Sequence, residues 1–471
     1  MKNYYFHINK ILLVLAIITG FAACNQQKET QKADFWITSL DQSSLLKKTK
    51  VEINGTKEVE AAATINIDTS KSFQEIDGFG YSLTGGSALH INKMSDLARK
   101  ALLQELFGTG ENDLGVSYLR ISIGASDLDE APFSYDDLND GETDENLEKF
   151  SLANDTVNLI PVLKEILKIS PDIKILGSPW SPPVWMKDNK STIGGSLKKE
   201  YYPVYANYFV KYIEAMKNEG ITIDAITIQN EPLHAGNNPS LLMLAEEQKE
   251  FIKDHLGPVF KKNGISTKII VYDHNADRPD YPISILDDPE AAKYIDGSAF
   301  HLYGGEISAL SKVHDAHPDK NLYFTEQWVG SPGDFSKEMS WHTENLIIGA
   351  TRNWSRNVLE WNLAADENQE PYTDGGCDRC LGALTITGDK VIRNPAYYII
   401  GQASRFVRPS SVRIASNEPE NLPNVAFKTP KGKIVLILQN KSEEEKTIKV
   451  KAGEKEVNIS LGAGSIGTLE L

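Results

Sequence analysis

At 471 residues the chain is longer than one typical domain, which points to a large unit with a smaller companion. Apolar residues make up 41% and charged residues 24%, an ordinary globular balance with enough apolar side chain for a sizeable core. A formal net charge of −16 argues against a nucleic-acid binder, which needs a basic face to displace counterions, and it suits a neutral substrate.

In chain order, Lys2 and Lys10 give a basic start, and the apolar run 11–18 is too short to cross a bilayer. Phe21-Ala22-Ala23-Cys24 then sets small residues before a cysteine. Residues 1–24 read as a signal peptide of the bacterial lipoprotein type with Cys24 as the lipidated residue; the plainer alternative is a secretory signal with an incidental cysteine. The expected localisation is export, with the chain held at the outer membrane or cell surface by lipid alone. Residues 25–49 are expected to be a tether, and no later hydrophobic stretch has membrane-spanning length.

From residue 73 to about 400, short apolar runs alternate with longer amphipathic ones. The runs 76–81, 116–123, 173–178, 225–229, 268–272, 297–301, 321–325 and 358–361 read as buried strands. Between them, 97–107, 157–167, 205–216 and 241–260 repeat apolar residues at helical spacing, with Pro161 placed to kink or shift the second. Strands separated by helices imply parallel pairing with right-handed crossovers. Eight of them match an α/β chain folded as a (β/α)8 TIM barrel. The alternative is a doubly wound open sheet, but no glycine-rich phosphate loop follows any strand. Gly78-Phe79-Gly80 reads as a tight turn.

Past residue 405, the segments 424–428, 433–439, 447–450, 456–461 and 467–471 alternate as short strands, and 51–68 reads the same way. The expected organisation is therefore a barrel over 71–405 and a side β-sandwich domain built from both chain ends, 50–70 and 406–471. The two remaining cysteines, Cys377 and Cys380, form one CxxC in a glycine-rich loop. One such pair cannot complete a zinc site, and it does not open a thioredoxin-like helix. A small disulfide or two free thiols are left, with the disulfide favoured.

A (β/α)8 barrel builds its active site at the C-terminal ends of its strands. Those ends carry Arg120 and then Asp127, the run from Ser178 through Trp180 to Trp185, Gln229-Asn230-Glu231, His301-Leu302-Tyr303, Thr325-Glu326-Gln327-Trp328 and Trp361-Asn362. Two carboxylates among aromatic rings and polar side chains fit a sugar, whose ring stacks on aromatic faces while its hydroxyls need fixed partners. A single glutamate is usually a surface or salt-bridged residue. Two that each follow an apolar strand, in matching serial positions, point instead to glycosidic cleavage with an acid/base, Glu231, and a nucleophile, Glu326. The acid should have a raised pKa, through a neighbouring carboxylate and burial by Trp180, and Arg120 should keep the nucleophile ionised. Trp185, Trp328 and Trp341 could be rim platforms or packing, and Asp273-His274-Asn275 at the end of strand five could touch substrate. No metal or other cofactor is expected.

The segments Phe73-Gln74-Glu75-Ile76-Asp77-Gly78-Phe79-Gly80, Ser178-Pro179-Trp180-Ser181-Pro182-Pro183, Asn230-Glu231-Pro232, Phe324-Thr325-Glu326 and Trp361-Asn362-Leu363, in this order, resemble glycoside hydrolase family 30, the glucosylceramidase-like group. The resemblance spans nearly the whole chain from about residue 50, and it implies a retaining β-glycoside hydrolase with Glu231 as acid/base and Glu326 as nucleophile. It also implies that Asn230 bonds the sugar 2-hydroxyl and that Asp127, Trp180 and Trp361 line the glycone subsite. Arg120, His301 and Tyr303 would surround the nucleophile, the latter two also meeting substrate. The Cys377–Cys380 loop looks most like that of endo-β-1,6-glucanases and departs from the animal glucosylceramidases. The implied substrate is a β-glucan or other β-glucoside, with glucosylceramide, simple β-glucosides or β-xylosides as alternatives. A reading from another class is a surface lipoprotein that binds glycan without cutting it, against which both glutamates count.

Overall fold

The computed structural model describes residues 31–55 and 60–471. The expected signal peptide, the Cys24 lipidation site and the first residues of the tether lie outside the described residues.

Eight parallel strands close into a barrel: Gly78–Ser82, Tyr118–Ser122, Lys174–Ser178, Ala225–Thr227, Lys268–Ala276, Ile295–Gly305, Asn321–Glu326 and Ser355–Asn362. Each pairs with its neighbour in sequence, and the eighth pairs back with the first through Val358 opposite Phe79. The first barrel strand starts two residues later than the apolar run suggests. Ile76 ends a separate strand, Ala63–Ile76, and Gly78 at φ 151° turns the chain into the barrel. Gly80 lies so close to the second strand that a Cβ there would sit 1.9 Å from the Tyr118 carbonyl oxygen. The Gly-Phe-Gly segment is thus barrel wall rather than a loop.

The helices sit near their expected positions, with informative differences. Pro161 is the third residue of the helix Leu159–Ile169, within the first turn, where no intrahelical donor is needed, so it does not break the helix. The run expected as one helix over 241–260 starts at Ala245, where Glu247 accepts from the Leu244 N–H at 2.7 Å. It then loosens to a π turn over Ile252–Leu256 before resuming at Gly257–Asn263. Pro258 has no N–H to offer the turn before it, which accounts for the slip in register.

Nine strands from both chain ends form the second sheet. Its two outer strands, Lys47–Glu52 and Lys455–Leu461, meet at the bridge between Ile53 and Val457, so the sheet curls into a sandwich around Phe35, Ile65, Leu436, Ile448 and Ile459. The tether expected to reach residue 49 therefore ends earlier, because Lys32–Thr38 and Lys47–Glu52 are paired strands. Phe35 fills the sandwich core. On the opposite face, Trp36 packs 4.5 Å from the Phe406 ring in the barrel-side core. A segment with both faces buried cannot stay a free linker.

Candidate active site

The C-terminal ends of the barrel strands open into a cleft of about 850 Å³. Asp127, Trp180, Asn230, Glu231, Tyr303, Glu326, Trp361, Cys377 and Cys380 all line it. The floor is an ionic network centred on two residues with no exposed surface, Arg120 and Asp273. Arg120 Nη1 donates to Glu326 Oε2 at 2.5 Å. Its Nη2 donates to Asn230 Oδ1 at 2.7 Å, Asp273 Oδ2 at 2.9 Å and Ser178 Oγ at 3.2 Å. The guanidinium also lies 4.8 Å from the Trp180 ring and 5.7 Å from that of Trp361. Those two indoles are stacked, with centroids 5.4 Å apart.

Asp273, expected as a residue that could touch substrate, instead has its carboxylate beneath the cleft, where it accepts from Ser178, Thr227 and Thr325 at 2.6, 2.8 and 2.6 Å. Burial would raise its pKa. Arg120, a bond from His301 and the Ser178 hydroxyl outweigh that and hold it well below the usual carboxylate range. Its carbonyl accepts from the Glu231 N–H at 2.9 Å. Glu231, Tyr272 and Asp273 all have positive φ (45°, 76° and 65°), a costly backbone that a dense network can sustain. Neither His274 nor Asn275 lines the cleft: His274 Nδ1 stands 3.8 Å behind Glu231 Oε1, and Asn275 Oδ1 accepts from the Tyr303 N–H at 3.0 Å.

His301 was expected to meet substrate and instead has no exposed surface. Its Nδ1 is 3.2 Å from Glu231 Oε1 and 3.7 Å from Glu326 Oε1, while Nε2 is 3.1 Å from Asp273 Oδ1. Burial disfavours its cation, but Glu326, Asp273 and Glu231 together raise its pKa to about 9. Tyr303 reaches the cleft and donates from its hydroxyl to Glu326 Oε1 at 2.9 Å. Both Glu326 oxygens therefore accept from a fixed donor. Asn230 presents its amide NH2 to the cleft, since its oxygen is held by Arg120.

The two glutamates do not have the protonation pattern expected of them. Burial raises Glu231, yet the bond and charge of His301, with His274 and His234, bring it below the ordinary glutamate value. Burial raises Glu326 as well; His301 and Arg120 oppose this, the charges of Glu231 and Asp273 add to it, and it ends above its ordinary value. The reason is placement, since the imidazolium sits closer to Glu231 than to Glu326. Asp127, buried and facing both glutamates, is pushed up to about 7.

Glu231, His301 and Glu326 bring one potential ligand atom each within 4.8 Å of the others. A divalent cation there would have to displace Arg120 from Glu326 and strip the proton from a His301 that holds it to about pH 9. The donor set is already satisfied internally.

Cys377 and Cys380 are joined as a disulfide, and Cys380 packs with Leu128, Trp180 and Trp361. Of the three tryptophans left between platform and packing, Trp328 and Trp341 line the cleft. Trp185 does not: it is buried and donates from Nε1 to the Asp136 carbonyl at 3.0 Å.

Residues 76–407 match the glycosyl hydrolase family 30 TIM-barrel domain, and residues 410–469 match the family 30 beta sandwich domain. The chain is 34% identical to an endo-1,6-beta-D-glucanase of Neurospora crassa, over 83% of this chain and 84% of that one. It is 30% identical to the lysosomal acid glucosylceramidase of Mus musculus, over 81% and 78%. The solved endo-beta1,6-glucanase BT3312 superposes with a TM-score of 0.88 at 35% identity, covering 93% of this chain and 99% of that one.

Proposed function

The chain belongs to glycosyl hydrolase family 30, and from that premise we propose that it cuts β-1,6-glucan internally with retention of configuration, using Glu326 as nucleophile and Glu231 as acid/base. The observation that carries the mechanism is the meeting of two carboxylates, with oxygens within 4.8 Å, at the ends of the fourth and seventh barrel strands. Retaining enzymes hold such a pair about 5–5.5 Å apart, whereas inverting ones leave about 6.5–9.5 Å for a water. The substrate is supported by the likeness to proteins named as endo-1,6-glucanases.

In the first step a Glu326 oxygen bonds to the anomeric carbon as the glycosidic C–O bond breaks, and the leaving oxygen takes the proton of Glu231. Arg120 and Tyr303 hold the nucleophile in place through its two oxygens. In the second step Glu231 takes a proton from water, the water oxygen bonds to the anomeric carbon, and the ester to Glu326 breaks. The productive state has the pair's shared proton on Glu231, although His301, which stands closer to Glu231, lowers that carboxyl while Glu326 ends above its ordinary value. A glycosidic oxygen that accepts from Glu231 draws the proton to the acid as substrate seats.

Purified protein is expected to release a ladder of gluco-oligosaccharides from pustulan, with the β-anomer appearing first by proton NMR. Release of glucose alone would overturn endo action, and no release would overturn the substrate. Glucosylceramide belongs in the same assay, because the likeness to the mouse enzyme supports it as the second reading. Glu326→Gln separates catalysis from capture: turnover should collapse while glucan binding persists, and unchanged turnover would sink the assignment.

The proposed location is the outer membrane or cell surface, through a lipid on Cys24. The basic start, the apolar run and Ala22-Ala23-Cys24 support it. Metabolic labelling with a palmitate analogue should mark the parent and not Cys24→Ser; equal labelling of both would sink it.

A further inference from the structure

Asp127 is buried and faces both glutamates. Burial and the charges of Glu326 and Glu231 push its carboxyl up, and the donors that oppose this are main-chain N–H groups, its own and that of Cys377. Crowded carboxyls drive one another apart, so Asp127 must be held in place by its own loop or by a neighbour.

The neighbour is the loop that follows the eighth barrel strand and carries the disulfide. Thr373, buried in that loop, donates from its N–H to the Asp127 carbonyl at 2.9 Å. Its Oγ1 lies 3.4 Å from the same oxygen and donates to the carbonyl of Asn238, in the loop after the fourth strand. Asn238 answers with a bond from Nδ2 to the Asp374 carbonyl at 2.9 Å. The Gly376 N–H donates to the Thr373 carbonyl at 2.8 Å, and a Cβ on Gly376 would lie 2.5 Å from the Asp127 carbonyl oxygen. A glycine is what lets the two loops come so close. The Cys377–Cys380 bond then closes the turn and seats Cys380 against Leu128, the residue after Asp127. One loop thus meets Asp127 at its carbonyl through Thr373 and at its carboxylate through Cys377.

We propose that the disulfide loop positions Asp127 for the sugar attacked by Glu326, with Thr373 and the Cys377–Cys380 bond as the positioning groups. The inference rests on the glycoside hydrolase reading above and holds for whichever β-glucoside is cut. A misplacement of about 1 Å at a group that orients substrate can cost about 100-fold in rate, so a loop that never enters the chemistry still governs it. Packing alone would be served equally well by valine at position 373, which keeps the shape of threonine and lacks its donor.

The test is a double-mutant cycle in kcat/KM, run on whichever of a β-1,6-gluco-oligosaccharide, nitrophenyl β-glucoside and glucosylceramide the parent cuts fastest. Thr373→Val should lose on the order of tenfold, with most of that returned by Thr373→Ser, and the paired change Cys377→Ser with Cys380→Ser should lose at least as much. In an Asp127→Asn background each loop change should cost less than about twofold, because what it positions is already gone. The two loop variants differ in place and kind, so a fold lost in one leaves the other to decide. Full loss repeated in the Asp127→Asn background, or parental kcat/KM in both loop variants, overturns the positioning role and leaves the hydrolase reading intact. A parent that cuts none of the three substrates overturns that reading, and this inference with it.

Discussion

A guanidinium without exposed surface must find its counter-charge inside the protein, and Arg120 divides itself between Glu326, which reacts, and Asp273, which does not. Asp273→Asn tests that division, since asparagine accepts the left-handed backbone at this position (φ 65°) and removes mainly the charge. The variant should be less stable by about 3–5 kcal/mol, because one partner of a buried pair is lost. Urea unfolding checks it, and parental stability would refute the central place given to Asp273. His301→Gln removes a cation that lowers both Glu231 and Glu326, so both carboxylates become weaker acids. The acid limb of kcat/KM reports a carboxylate that must ionise and the alkaline limb a proton that must stay, so both limbs should move to higher pH. A bell fixed in place would separate His301 from the titration. At this scale the sequence is legible where a side chain enters the cleft, since Glu231, Glu326, Trp180 and Trp361 all follow strand ends. It is not legible for what lies beneath. Asp273 and His301 look like further rim residues until the barrel curvature sets them under the pair, and the acid's expected rise in pKa fails because nothing in one dimension says which glutamate the imidazolium approaches.

Between elements, the constraint is how closely strands approach. Gly80 is the clearest instance, its missing Cβ giving room to the Tyr118 carbonyl across the first strand pair. Gly80→Ala puts a methyl group against backbone in a closed barrel, and only movement of a whole strand can relieve it. The expected outcome is a loss of about 3 kcal/mol, read from denaturant midpoints; a midpoint equal to the parent's would mean that the barrel yields at that seam. Apolar runs and their spacing are enough to read eight strands and the main helices. They do not separate Ile76, which ends a sandwich strand, from Gly78, which begins the barrel, because both sit in one apolar stretch. Nor do they show the π turn after Phe251, where periodicity persists while hydrogen-bond register slips ahead of Pro258.

Over the whole molecule, barrel and sandwich share chain as well as surface. The strand Ala63–Ile76 belongs to the sandwich and leads into the first barrel strand two residues later. At that junction Arg413, from the sandwich strand Ser411–Ser416, lies 3.6 Å from the Phe73 ring centre and 5.3 Å from that of Trp354, and donates to Gln74 Oε1 at 2.9 Å. Nearby, Arg352 holds the Ser416 carbonyl at 3.1 Å, and Gln439 donates to Ser340 at 2.6 Å. Arg413→Ala removes a guanidinium stacked against two rings and leaves the other links intact. The stability lost should be about 2 kcal/mol, from the cation–π contacts and the packing of the side-chain stem. Calorimetry should then show a single transition, as in the parent, moved down by a few degrees. The transition should not divide, because a strand common to both units still couples them. Two resolved transitions in the variant would instead mean that this one arginine joins otherwise independent units. Turnover at 25 °C should match the parent, since Arg413 lies outside the cleft.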